Sequence, residues 1–138
     1  MKLPYETSTA GDKALLELQR VLAKFGCASF GTGIDIERGV TVVTFKWRDR
    51  IVKLEASWTG YATALVRNGW RDKNKALSQA QISVCSVLRD WAKAQITAIE
   101  SGVMSFEDAF LPHMLLANGT RVVDAARSAN LLPPPVAP

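Results

Sequence analysis

Apolar residues recur along this chain with two different spacings. Leu15, Leu18, Leu22 and Phe25 fall three or four apart, which places them on one face of a helix over residues 10–25. "TAGD", Thr9 to Asp12, has the form of a capping box at its start, and Gly26 supplies the left-handed residue that ends it. From residue 28 onward the spacing drops to two, and three strands are predicted. The first covers about 28–36, the second 40–47, and the third runs from a turn at Asp49-Arg50 to Trp58. Two-residue turns at Arg38-Gly39 and Asp49-Arg50 set Ile34 opposite Val43, Phe30 and Val52 opposite Trp47, Phe45 opposite Leu54 and Val43 opposite Ala56. Asp-Arg is a weak two-residue turn, so a wider loop in the same register also fits. Apolar meets apolar throughout, and a one-residue slip would turn every side chain over. One sheet face then carries Phe30, Ile34, Ile36, Val43, Phe45, Trp47, Val52, Leu54, Ala56 and Trp58. The other carries Ser29, Gly31, Gly33, Asp35, Thr44, Lys46, Lys53, Glu55 and Ser57, as in a half-solvated antiparallel sheet. This register puts Lys46 directly opposite Lys53, an unfavourable pair that an anion would relieve. Gly31 and Gly33 leave one face of the first strand bare. They signal either a bulge or twist, or the close approach of a ligand or another backbone.

Residues 59–73 carry a turn signal at Asn68-Gly69-Trp70 and allow a short helix over 62–66. The longest element follows, over 74–101, about 40 Å if helical throughout. Its stripe is Leu77, Ala80, Val84, Leu88 (or Val87), Trp91 and Ala98, widened by Ile82, Cys85, Ala92, Ile96 and Ile99, and Gly102 ends it. So broad an apolar surface should touch the sheet and at least one more element, and it also allows self-association through the long helix. A second capping box, "SFED" at Ser105 to Asp108, opens a short helix that Pro112 stops. "MLLANGTRVV" reads as a short strand, an Asn118-Gly119 turn and a helix to Ser128; a helix capped by Thr120 is the alternative. The order helix, three-stranded meander, long helix is an α+β arrangement in two layers, with both main helices on the apolar sheet face. Residues 1–130 form one domain, and the proline-rich 131–138 is expected to be an exposed, mobile tail.

Composition adds bounds. The chain has 138 residues, 48% hydrophobic and 22% charged, which suits one globular domain. No stretch approaches the roughly 20 apolar residues of a membrane span, and "MKLPYETSTAGDK" lacks the apolar run of a secretory signal, so a cytoplasmic location is expected. Cys27 and Cys85 read as small buried apolar groups rather than a disulfide in that compartment. The formal charge is +4. Residues 46–75 hold eight cations against three carboxylates, so the whole positive excess lies in that stretch. Such a footprint points to an anionic partner.

Sites for chemistry are sparse in the sequence. His113 has no partner nearby in sequence, and two distant cysteines with one histidine lack zinc-site spacing. "FGTGID" has no following helix or lysine to make a phosphate-binding loop. Asp35 with Glu37 reads as a solvated hairpin end. The reading is therefore of a protein that is not an enzyme and needs no cofactor. The binding candidates are Lys46, Arg48, Arg50, Lys53, Arg67, Arg71, Lys73 and Lys75, which would neutralise phosphates on one continuous surface. Trp70 would stack on an unpaired base or plug the core beneath its loop.

Two resemblances bear on this. Helix, three strands, helix, with "DKNKALSQA" at residues 72–80, resembles the double-stranded RNA-binding domain. That resemblance implies a phosphate-contacting role for Lys73 and Lys75. The link "ERG" is shorter than the loop with which that family reads a minor groove. "LPYETSTAGDKALLELQRVLAKFGC", "LEASWTGYA", "QAQISVCSVLRDWAKAQITAIESGVMSFEDAFLPHM" and "LLPPP" are similar to a group of small phage and prophage proteins of unassigned function. That similarity implies expression in a bacterial host. The expectation is a phage protein that binds nucleic acid, or alternatively one whose basic surface meets an acidic host protein.

Overall fold

A computed structural model describes residues 2–136. The elements run α1 (Gly11–Phe25), β1 (Ser29–Asp35), β2 (Val40–Trp47), β3 (Arg50–Ser57), α2 (Trp58–Arg67), α3 (Lys73–Glu100), α4 (Phe106–Phe110) and α5 (Val122–Ser128). The strands form one antiparallel sheet in the order β1-β2-β3. The class is α+β, as the element order predicts.

α1 and α3 lie side by side and parallel on the apolar sheet face. Gly11 faces Ile82 and Cys85 near one end of α1, Glu17 meets Arg89 and Lys93 midway, and Phe25 stacks with Phe106, just beyond the end of α3. Leu18, Leu22, Leu88, Ala92 and Ile96 close over Val43, Phe45, Val52 and Leu54 in the main core. At the far end of α3, a smaller cluster joins Trp58, Ala62 and Leu65 of α2 to Ala76, Ala80 and Val84. The long helix thus directs its broad apolar surface inward. Of its large apolar residues only Val87 is exposed, so α3 offers no wide face to a second copy.

Residues 3–8 strap the α2–α3 end. The Tyr5 hydroxyl donates to Asp90 Oδ2 at 2.7 Å, Ser83 Oγ donates to the Tyr5 carbonyl at 2.8 Å, and the Tyr61 hydroxyl donates to the Pro4 carbonyl at 2.6 Å.

Several expectations need correction. No capping box forms at "TAGD": Ala10 is the N-cap and no side chain caps α1, which leaves the Thr9 hydroxyl one residue too early. The box at Ser105–Asp108 does form, with both reciprocal bonds at 3.1 Å. Trp58 starts α2 instead of ending β3, because Ser57 Oγ accepts the Gly60 N–H at 2.9 Å and turns the chain into a helix. Ile36 lies outside the sheet and is 82% exposed.

Both hairpin registers shift by two residues from the predicted ones. Phe30 pairs with Phe45 and Ile34 with Thr41; Phe45 pairs with Val52, Val43 with Leu54 and Trp47 with Arg50. The turn is Arg48-Asp49, both with positive φ (46° and 64°), and the β1–β2 link spans residues 36–39. A two-residue shift keeps every side chain on its face, so the apolar face survives the change. The lysine pair does not: Lys46 stands opposite Ser29 and Ile51, and Lys53 opposite Thr44. Gly31 and Gly33 sit in unbroken pairing, without a bulge. Residues 131–136 are exposed and outside regular structure, and the last two residues of the expected tail, 137 and 138, lie outside the described residues.

Candidate nucleic-acid interface

Eight of the nine candidate residues divide between two ends of the molecule, and the ninth, Lys53, lies in the middle of β3 opposite Thr44. The β2–β3 tip, with Lys46, Arg48 and Arg50, lies at the C-terminal end of α3. There Trp47 stacks on Phe106 (4.3 Å) and Phe25 (5.5 Å), and Arg50 meets Glu107 at 3.0 Å. Arg67, Trp70, Arg71, Lys73 and Lys75 lie where α2 turns into the N-terminus of α3. α3 has 28 residues and so spans about 42 Å between these ends. The continuous cationic surface expected from the sequence is therefore not formed. β3 carries the chain from one end of the sheet to the other, and charges adjacent in a sequence count part company in space.

The hairpin cations, at the tip and along β3, have partners. Lys46 is 3.7 Å from Asp49, Lys53 is 3.7 Å from Glu55, and the Arg48 guanidinium lies 4.4 Å above the Trp47 ring. The α2–α3 corner differs. Arg67, Arg71, Lys73 and Lys75 are all exposed, and none is in an ion pair among the described residues. The nearby carboxylate, Asp72, is committed to capping α3, accepting the N–H groups of Asn74 (3.0 Å) and Lys75 (3.1 Å). The first turn of α3 holds no acidic residue. Two lysines thus stand at the positive end of a helix dipole, where cations are disfavoured and anions welcome.

Trp70 holds the corner together. Its backbone N–H donates to the Leu65 carbonyl at 3.0 Å, its ring packs on the α2–α3 core, and its Nε1 donates to Glu6. Of the two expected roles this arrangement favours the plug, with one edge left facing a hollow of about 430 Å³ lined by Asn74, Lys75, Ser78, Gln79 and Ile82. Lys73 borders a second hollow, of about 360 Å³, with Thr63, Val66 and Leu77. Lys73 and Lys75 therefore flank α3 on two sides.

The most strongly bound charges are ones that the sequence count does not single out. Glu55, on the polar sheet face, accepts both Arg38 guanidinium nitrogens at 2.9 and 2.7 Å and meets Arg121 at 3.2 Å. Arg121 also donates to Asp124 at 3.0 Å. Glu55 and Arg121 side chains are 8% and 10% exposed. The Arg38 guanidinium, then Arg121 and Lys53, holds the Glu55 carboxyl down to about 2. Arg38 sits in the β1–β2 link, so this link is fastened to the sheet instead of reaching out toward a groove. Arg121 and Asp124 stand three apart, but no sequence spacing connects that pair to residues 38 and 55; only the fold brings them together.

The other residues weighed for chemistry have these surroundings. Asp35 accepts the Arg38 backbone N–H at 3.0 Å and shapes its turn. The His113 ring stands edge-on to Trp91 at 5.3 Å, and burial, helped by Arg121, pushes its pKa down and favours the neutral form. Cys27 and Cys85 are free thiols, and burial raises both, Cys27 to about 11. Among the described residues no group of three or more His, Cys, Asp or Glu could hold a metal ion, and no helix is long and apolar enough to cross a membrane. Compared with known protein families, curated proteins and solved structures, the chain matches none.

Proposed function

We propose that this chain is a non-catalytic nucleic-acid-binding protein of a phage or prophage, acting in the host cytoplasm, and that it binds through the α2–α3 corner. One observation carries the reading: Arg67, Arg71, Lys73 and Lys75 are gathered within nine residues at a helix N-terminus, without an ion pair among the described residues. Phosphates placed there would offset four like charges and align with the dipole of α3. The tip cations are left out, since Asp49, Glu107 and the Trp47 ring already engage them. The phage assignment rests on the sequence resemblance alone.

Fluorescence anisotropy with labelled single- and double-stranded oligonucleotides tests this. Each phosphate neutralised contributes a log–log salt slope of about −0.7 to −0.9. Arg71→Ala with Lys75→Ala should weaken binding for all sequences and flatten the slope by roughly one per lost contact. Arg48→Ala with Arg50→Ala should leave both unchanged. Absence of binding at low salt, or equal losses from the two ends, refutes the assignment. The alternative partner, an acidic host protein, would appear instead as a lysate capture that survives nuclease while oligonucleotides fail to bind.

A further inference from the structure

The fold treats the two edges of its sheet differently. The outer edge of β3 is covered at its Ile51–Val52 end: Met114 bridges Val52, the Leu115 N–H donates to the Ile51 carbonyl at 2.8 Å, and the chain returns through a Leu115–Arg121 bridge into α5. The outer edge of β1 makes no backbone hydrogen bond to any described residue. β1 is seven residues long with no bulge, proline or lysine, the devices that normally blunt an open edge. Its faces are open as well. Ile34 is 60% exposed beside a hollow of about 950 Å³ between β1 and the starts of α1 and α3. On the opposite face, a Cβ added at Gly31 or Gly33 would meet nothing within 4 Å.

An open edge accepts another strand, and the sequence of β1 says which. "SFGTGID" is symmetric in residue class about Thr32. We propose that β1 pairs antiparallel with β1 of a second copy about a two-fold axis at Thr32, joining two sheets into one of six strands. The axis sets Thr32 opposite Thr32, Gly31 opposite Gly33, Phe30 opposite Ile34 and Ser29 opposite Asp35. Apolar side chains then meet on the core-side face and the bare glycines meet on the other. No like charges oppose, and the Ser29 hydroxyl can donate to the Asp35 carboxylate. Such a contact is self-complementary, as a closed dimer requires. It stands independently of the nucleic-acid reading, since the corner cations lie on other elements.

Sedimentation equilibrium of the whole chain tests the pairing. The wild type should show twice the chain mass. Thr32→Lys and Thr32→Asp each place like charges face to face on the axis, at an exposed position, and each should sediment as a monomer. Mixed in equal amounts, the two variants should recover the dimer mass. Independently, Thr32→Cys should form a covalent dimer on mild oxidation, because directly opposed residues lie within disulfide reach. The wild type, with only Cys27 and Cys85, should not cross-link under the same conditions. A monomeric wild type overturns the proposal, as does a dimer that survives Thr32→Lys and is not trapped by Thr32→Cys.

Discussion

Replacing Glu55 by Gln removes the carboxylate on which three cations converge while keeping the shape of the side chain. Its depression from 4.5 to about 2 corresponds to roughly 3 kcal/mol of stability at neutral pH. The Arg38 side chain is 55% exposed and can rehydrate, and Arg121 keeps Asp124, so a loss of about 2–3 kcal/mol is expected. For a chain of this size that lowers Tm by roughly 6–12 °C. The sign with pH follows from the direction of the shift. A carboxyl held low in the folded state stabilises fully above its unfolded value and loses that contribution as pH falls through the folded one. The difference between wild type and Glu55→Gln should therefore be full at neutral pH, begin to shrink below about 4.5, and vanish only below about 2. Urea denaturation of both proteins across that range measures it, and carboxylates common to both largely cancel. A difference that stays constant with pH would show that the loss does not come from the carboxylate charge, and one below ~1 kcal/mol at neutral pH would show that the cluster is screened by water.

Two further perturbations test the local geometry by the same denaturation assay. Ser105→Ala should cost about 1 kcal/mol by removing a formed capping box, whereas Thr9→Ala should change stability by less than ~0.5 kcal/mol, since no cap exists there. Gly39→Ala forces a φ of +64° on an alanine whose Cβ would run into the Thr59 side chain; a loss of roughly 2–3 kcal/mol is expected, and Thr59→Ala should restore part of it.

Much of the fold is legible in the chain because periodicity reports which face is buried. The α1 stripe, the apolar sheet face and the inward surface of α3 all appear where the spacing puts them. Register is less legible for a physical reason. Pairings that differ by two residues bury the same side chains, so the alternation scores them equally. Two contacts at the turn, Arg48 over Trp47 and Lys46 near Asp49, support the observed register, as does one remote in sequence, Arg38 reaching Glu55 from a four-residue link. α2 is only partly visible because alternation runs on through Trp58. The switch to helix rests on one hydroxyl, that of Ser57.

The charge footprint was legible as composition but not as a surface. Eight residues of β3 at about 3.3 Å each carry the chain some 26 Å, so Arg50 and Arg67 cannot be neighbours however close they stand in a list of cations. What the fold does with its cations then separates structural from available charge. Arg38 and Arg121, outside the basic stretch, are fixed on one carboxylate. Lys46, Arg50 and Lys53 each have an acid within 4.0 Å. Arg67, Arg71, Lys73 and Lys75, in the second half of the basic stretch, remain exposed and without an ion pair among the described residues, at a helix end whose dipole repels cations. Self-repulsion of that kind works against the isolated molecule and is relieved by any polyanion that reaches it. The corner, rather than the hairpin, is therefore where an anionic partner gains most from binding.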